Sequence, residues 1–323
     1  MKHLEHPYAD LNDPNRMEAV WLRGNLHTHS TRSDGRRPPQ VVIDDYADRG
    51  YDFLMLSDHD IWSSPEDYSR LQDRGLVLVP GNEITAGGPH LLHVNASRRV
   101  EPHAQRQECF NEIADDADSF AVACHPNWLF ACPGAGSTRA PMHPHTTFSQ
   151  LSEWVGYAGL EIYNGACRRL DGSPYATNVW DLLLANGRRV WGFANDDSHR
   201  AEGDEPLPGK VDHTPLMRSD VALGWNVVYA EKSRPAIVES LRSGRFYAST
   251  GVEISGISVE GMKVRIETRN ADRLIAFRET GRRFAQVEGS AIEVEVPPDA
   301  QYVRFEAWGR GERCAWTQPF FVC

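Results

Sequence analysis

The sequence predicts an α/β barrel followed by a small antiparallel β sandwich, and three observations lead to that class. Up to about residue 245, apolar runs of strand length alternate with helical stretches. These runs end in polar and histidine-rich residues, where an α/β barrel builds its active site. From about Val252 the pattern changes to short apolar–polar alternation broken by Gly, Pro and Asn-Ala-Asp, the signature of an antiparallel sandwich. The boundary falls at 250, giving a barrel over 1–250 and a β-sandwich domain over 251–323.

Taken in order, residues 1–20 are polar, rich in Pro and Asn, and read as a lead-in draped over the body. Val20 to Leu26 forms a first strand that ends in His27 and His29. Side chains alternate across a strand, so these two histidines face one way and Thr28 the other. Asp34 follows, ahead of Gly35, where the chain can turn back. Pro38 and Pro39 suit the first turn of a helix that stops at Gly50. Phe53 to Leu56 is a doubly buried strand ending in Ser57-Asp58-His59-Asp60, and Leu76 to Val79 runs into Pro80-Gly81-Asn82-Glu83.

Leu91 to Asn95 is a neighbouring short strand carrying His93. A helix around 108–117 precedes Phe120 to Cys124, which stops at His125-Pro126. Residues 129–145, rich in Pro, Gly and Ala, read as a long loop over a site. A helix near 148–155 leads to a strand ending in Glu161 and Asn164. Ser173-Pro174 suits the cap and first turn of a helix running to Gly187. Val190 to Ala194 then delivers Asn195-Asp196-Asp197-Ser198-His199. Val227 to Ala230 reads as the last barrel strand and Pro235 to Arg242 as the last helix. Strands near 264–267, 274–277, 292–296 and 302–306 make up the sandwich.

Charged residues make up 24% and hydrophobic ones 41%, ordinary for a folded globular chain. The net charge of −11 argues against a nucleic-acid polymer as partner, which needs a basic surface, while a locally positive site can still hold a small anion. No apolar run of about 18 residues is present, so no membrane partner is expected. The first residues lack the apolar core of a secretory signal, so the expected location is cytoplasmic. Six cysteines form no C-x-x-C pair and read as reduced, mostly buried thiols. The sequence leaves open a homo-oligomer.

His27, His29, Asp34, His59, Glu83, His93, His125, Asp197 and His199 are all nitrogen or oxygen donors at strand ends. That donor set suits Mn²⁺, Zn²⁺ or Fe²⁺, and its size suits two or three divalent ions. His93 is preferred to His90 because it sits within the apolar strand, and Asp197 to Asp196 because it shares a face with His199. Asp58 is expected to orient a ligand. His143 and His145 are candidate general acids, and Arg200 belongs to the same catalytic group. Arg32, Asn164, Arg168 and Arg245 are candidate substrate contacts. His103 and His213 read as ordinary surface histidines.

In order, the His27/His29 pair, Ser57-Asp58-His59, Glu83 with a histidine some ten residues on, His125-Pro126 and Asp197-Ser198-His199 resemble the motifs of the polymerase-and-histidinol-phosphatase (PHP) superfamily. The resemblance covers roughly residues 21–245 and is nearest to the carbaryl-hydrolase-like branch, through the segment from Arg245 to Thr250 and a following β domain. It implies a distorted (β/α)7-type barrel with a trinuclear metal centre. His27, His29, Glu83 and Asp197 would hold one ion. Asp34, His59 and His199 would hold a second, with Asp34 where some relatives have histidine. Glu83, His93 and His125 would hold a third.

The expected activity is hydrolysis of a small phosphate mono- or diester by a metal-bound hydroxide. Three carboxylates, about −3, against about +6 from three dications leave such a site positive, about +2 even with one hydroxide bound, which favours an anionic substrate. The alternatives are carbamate, amide or ester hydrolysis on the same cluster, or a non-catalytic metal-binding module.

Overall fold

The computed structural model describes residues 2–12, 18–131, 142–170, 172–201 and 219–323. Strand β1 (Leu4–Glu5) precedes the barrel portion. That portion runs β2 (Val20–Asn25), α1 (Pro39–Ala47), β3 (Phe53–Leu54), α2 (Pro65–Ser69), β4 (Val77–Leu78), β5 (Gly81–Ile84), β6 (Leu91–Val94), α3 (Arg106–Ala114) and β7 (Phe120–Ala123). It continues with β8 (Leu129–Ala131), β9 (Met142–Pro144), α4 (Phe148–Glu153), β10 (Tyr157–Asn164), α5 (Thr177–Ala185), β11 (Trp191–Asn195), β12 (Trp225–Ala230) and α6 (Arg234–Ser243).

The remaining strands are β13 (Phe246–Ser249), β14 (Ile254–Glu260), β15 (Lys263–Thr268), β16 (Arg273–Arg278), β17 (Arg282–Glu288), β18 (Ala291–Glu295), β19 (Tyr302–Trp308), β20 (Cys314–Thr317) and β21 (Phe320–Val322).

Two sheets face each other around an apolar interior. One contains the run β13-β12-β2-β3-β4; the other runs β11-β10-β7-β6-β5. They join edge to edge where strand ends extend into the site, through the parallel bridges Thr28 to Ser198 and His59 to Glu83. The first junction is fixed by His29 N–H to the Ser198 carbonyl at 2.8 Å and Asp197 N–H to the His27 carbonyl at 2.9 Å. Leu26, Phe53, Met55, Leu92, Val122 and Phe193 fill the interior, and Ile237, Val238 and Leu241 of α6 close its lower end. Gly244, with φ +79°, ends α6 in the left-handed conformation that glycine adopts without strain. The chain therefore forms a mixed α/β ring of strands.

Several details differ from the regular barrel that alternation suggests. Strand β6 runs antiparallel to both neighbours, and β12 antiparallel to β2 and β13. Local alternation of apolar runs carries no information on strand direction, which the connections decide. The 129–145 segment is not wholly irregular, since β8 and β9 pair as a hairpin. Ser173-Pro174 does not cap α5: Ala176 precedes that helix, while the Pro174 carbonyl accepts from Asn164 N–H.

After β13 the large sheet continues without a break through β20 and β19 to β16 and β17. The three-stranded sheet β14-β15-β18 covers it, burying Ile257, Val264, Ile266 and Ile292 against Leu274, Val303, Phe305 and Phe320. The two layers are held to the barrel by an ion cluster as well as by strand pairing. Arg304, buried on β19, makes two bonds of 2.7 Å to Asp181 of α5 and one of 2.7 Å to Glu306. The Tyr302 hydroxyl also donates to Asp181, at 2.9 Å.

Candidate metal centre

Glu83, at the inner end of β5, is the hub of the strand-end cluster. Its Oε1 lies 3.3 Å from His27 Nε2, 3.0 Å from His90 Nδ1 and 3.3 Å from His125 Nε2. Its Oε2 lies 2.8 Å from His59 Nδ1 and 3.6 Å from His29 Nε2. Asp197 Oδ1 stands 3.0 Å from His29 Nε2 and 3.3 Å from His27 Nε2. Asp34 Oδ1 is 3.4 Å from His59 Nε2 and 3.3 Å from His199 Nε2. The structure thus brings together eight of the nine sequence-derived donors.

The backbone bends to do this. His125 and Asp197 both take positive φ, +26° and +52°, where side chains other than glycine are strained, and such strain gathers at functional sites. Asp34 is returned to the cluster by a loop whose Gly35 leaves no room for a side chain. A Cβ there would sit 2.5 Å from the His29 backbone. Asp58 holds the same loop, accepting from Ser30 N–H at 2.7 Å, Ser30 Oγ at 2.7 Å and Ser33 Oγ at 2.8 Å. Its carboxylate is occupied there, holding the loop that carries Asp34.

Carboxylates and carbonyls also set the histidine rings. Glu161 Oε1 faces His27 Nδ1 at 2.8 Å, leaving Nε2 turned toward Glu83 and Asp197. His199 Nδ1 faces the Asp197 carbonyl at 2.9 Å, leaving Nε2 for Asp34. This is how ligating histidines are oriented. His27 Nε2, His29 Nδ1 and His125 Nδ1 are buried with no hydrogen-bond partner. Buried polar atoms are ordinarily satisfied, and orphaned imidazole nitrogens within groups of histidines and carboxylates whose ligand atoms lie within 4.8 Å of one another fit divalent cations.

Charge within the cluster follows from its crowding. Burial works against ionisation of Glu83, yet His27 and His90 hold it well below the ordinary carboxylate range; burial likewise opposes Asp197, which His27 and His29 hold low. Burial lowers His59, but hydrogen bonds to Asp34 and Glu83 outweigh it and push the ring up to about 10. Without ions, that pairing stabilises the fold fully below the unfolded histidine value and loses the contribution as pH rises through about 10. Protonated His59 must lose its proton to ligate. Zinc loading near pH 7 is therefore expected to expel protons, and affinity to rise with pH. Calorimetry in buffers of different ionisation heat checks this, and a loading heat independent of buffer would contradict it.

His93, the ninth donor, lies elsewhere. Asn82 pairs with His93 and Glu83 with Leu92 across β5 and β6, so Glu83 and His93 point to opposite faces of the sheet. His93 sits fully buried on the outer face, where burial pushes it down to about 4. His90 takes the place beside Glu83. The signal was strand parity: His90, Leu92 and Val94 share one face, Leu91 and His93 the other.

A cavity of about 510 Å³ opens onto the cluster, lined by Asp34, His59, His90, His125, Asp197 and His199 together with Arg36, Trp128, Arg169, Leu170 and Arg200. Of the four arginines singled out in the sequence, Arg200 lines this cavity, with its Nε 3.6 Å from Asp220 Oδ1, and Arg32, Arg168 and Arg245 do not. Arg32 bonds Ser63 Oγ and the Trp62 carbonyl, Arg168 pairs with Glu312 at 2.5 Å, and Arg245 pairs with Glu239 at 2.8 Å near α6. Asn164 is buried, donating to Glu161 and Asp197, and presents nothing to the cavity. The arginines found instead are Arg36, whose Nη1 is buried without a hydrogen bond, and Arg169, which pairs with Asp220. No local pattern separates these from surface arginines.

His143 is exposed on β9. His145 is buried against His90, His125 and Trp128, and burial, then His125 and His90, push it down to about 2. Cys124, beneath the cluster, brings its Sγ within 4.8 Å of ligand atoms of His27, Glu83 and His125. Cys109, Cys124, Cys167, Cys314 and Cys323 are free thiols. Cys132 and His213 lie outside the described residues. Among the described residues no helix is long and apolar enough to cross a membrane.

No family model matches the chain, and no curated protein matches it. Among solved structures, a two-domain protein from Bacteroides vulgatus, described as containing a predicted PHP-like metal-dependent phosphoesterase, shares the fold. The TM-score is 0.51 at 17% identity, over 96% of each chain. Two more distant likenesses cover 58% of this chain and 92% of the other. One is a protein from Bifidobacterium adolescentis proposed to be a metal-dependent phosphoesterase (14% identity, TM-score 0.39). The other is an amidohydrolase from Chromobacterium violaceum with bound sulfate and no metal (17% identity, TM-score 0.33). At these scores neither adds to the likeness of the whole chain.

Proposed function

We propose that the chain is a metal-dependent hydrolase of the PHP type, acting on a small organic phosphate mono- or diester with two or three bound Mn²⁺, Zn²⁺ or Fe²⁺ ions. The observation that carries this reading is the clustering of buried histidine and carboxylate ligand atoms around Glu83, several of the ring nitrogens having no hydrogen-bond partner. Bound ions would supply a water nucleophile at neutral pH and draw charge from the leaving oxygen.

The chain's own residues do the rest. His27, His29 and Asp197 form one ligand group, and His29, Asp34, His59 and His199 a second. Glu83 connects the two groups with His90 and His125. Glu161 and Asp58 keep His27 and the Asp34 loop in place. Arg36, Arg169 and Arg200 line the mouth of the cavity and favour an anion, with Trp128 and Leu170 offering an apolar wall to its organic group.

Purified protein, assayed with aryl phosphate mono- and diesters beside aryl carbamates and esters, is expected to hydrolyse a phosphoester with added Mn²⁺ or Zn²⁺ and to lose the activity to a chelator. Turnover of carbamates or carboxylic esters alone would move the substrate to the carbonyl class. Less than one ion per chain after loading would remove the hydrolase reading altogether.

A further inference from the structure

Two histidines of the cavity wall, His90 and His125, meet a third, His145, which follows directly on the β8–β9 hairpin. The rings of His90 and His145 lie 4.4 Å apart and those of His125 and His145 4.6 Å apart. One ring nitrogen from each of the three falls within 4.8 Å of the others. His145 is only 8% exposed, and Nδ1 of both His145 and His125 is buried with no hydrogen-bond partner. A buried polar atom left unsatisfied costs about 1–3 kcal/mol, so two in one cluster of imidazoles point to something that they bind. Three neutral imidazoles are a donor set for Zn²⁺ and related ions rather than for Mg²⁺.

We infer that His145 is a ligand, with His90 and His125, to an ion at this wall, so that the metal fastens the β8–β9 hairpin to the barrel. This rests on the metal-hydrolase reading. Other ties reach only the base of the hairpin, where Trp128 bridges Gly172 and Ser173 N–H donates to the Asn127 carbonyl at 3.1 Å. Among the described residues its two strands pair only with each other, and a lone two-stranded hairpin is marginal in water. Its base is tied by His145 N–H to the Trp128 carbonyl at 2.7 Å and Trp128 N–H to the His125 carbonyl at 3.0 Å. The Trp128 ring packs 4.9 Å from His145 and 5.3 Å from His125, screening the three rings. A ligating His145 is not a general acid, because its lone pair is committed to the ion.

The test compares chelator-stripped wild type, His145→Ala and His143→Ala after zinc loading, by competition with a chromophoric chelator and by amide hydrogen exchange. In His145→Ala one zinc is expected to weaken by at least about tenfold, the lower bound for disturbing a ligand's surroundings. The protection that zinc gives to residues 129–131 and 142–144 should disappear with it, while the other ions stay bound and show that the barrel is intact. His143→Ala, altered on the exposed side of the same hairpin, should match wild type in both measurements. Zinc content, affinity and hairpin protection in His145→Ala equal to wild type would overturn the inference and leave the hydrolase reading standing. A wild type that takes up no zinc would remove both.

Discussion

Replacing Glu83 with alanine is expected to abolish metal-dependent hydrolysis and to strip at least one ion from each chain. Glu83 is the only carboxylate within 4 Å of His27, His29, His59, His90 and His125 together among the described residues. Its loss removes a ligand from more than one position at once. If the ions supply several kcal/mol of transition-state stabilisation, turnover falls on the order of a thousandfold or more. Glu83→Gln keeps the volume and one oxygen but loses the charge, and should retain part of the metal content with most of the activity gone. Elemental analysis beside steady-state assays checks both, with circular dichroism to establish folding. Wild-type metal content in Glu83→Ala would show that the hub is not a ligand.

The second large effect lies far from the cavity. Arg304→Met is expected to destabilise the fold by about 3–5 kcal/mol, because it strands the buried carboxylates of Asp181 and Glu306 without their counter-ion. Adding Asp181→Asn and Glu306→Gln to that variant should recover a good part of the loss, since the stranded charges are then gone. Urea unfolding of the variants measures this. A loss below about 1 kcal/mol, the size of an exposed ion pair, would show that water reaches the cluster.

Much of the gathering at the strand ends was legible in the sequence, because it depends on local rules. His27 and His29 are spaced so that extended backbone puts both on one side; Asp197 and His199 share that spacing, although Asp197 leaves the extended region at φ +52°. Their strands then meet through Thr28 and Ser198. Apolar runs ending in His59, Glu83 and His125 are likewise read locally. The errors arise where the answer depends on a partner distant in sequence. Choosing His90 over His93 required knowing that β6 pairs antiparallel with β5 and in which register. Arg32, Arg168 and Arg245 stand near the motifs in sequence, yet each long side chain reaches a different carboxylate, hydroxyl or carbonyl. Asn164 ends its strand as expected but is consumed by Glu161 and Asp197.

Strand β2, which leads into His27 and His29, waits on later parts of the chain for one of its partners. Its antiparallel neighbour is β12, which pairs with β13, which in turn pairs with β20 near the end of the chain. A growing chain therefore leaves the ribosome with the first histidines attached to a sheet still missing one flank. Asp197 and His199 also arrive about 170 residues after their partners, as the separation of His29 and Asp197 shows. Long-range pairings of this kind slow folding and keep strand edges open. The cluster around Glu83 therefore cannot assemble until about 170 residues have followed its first histidines.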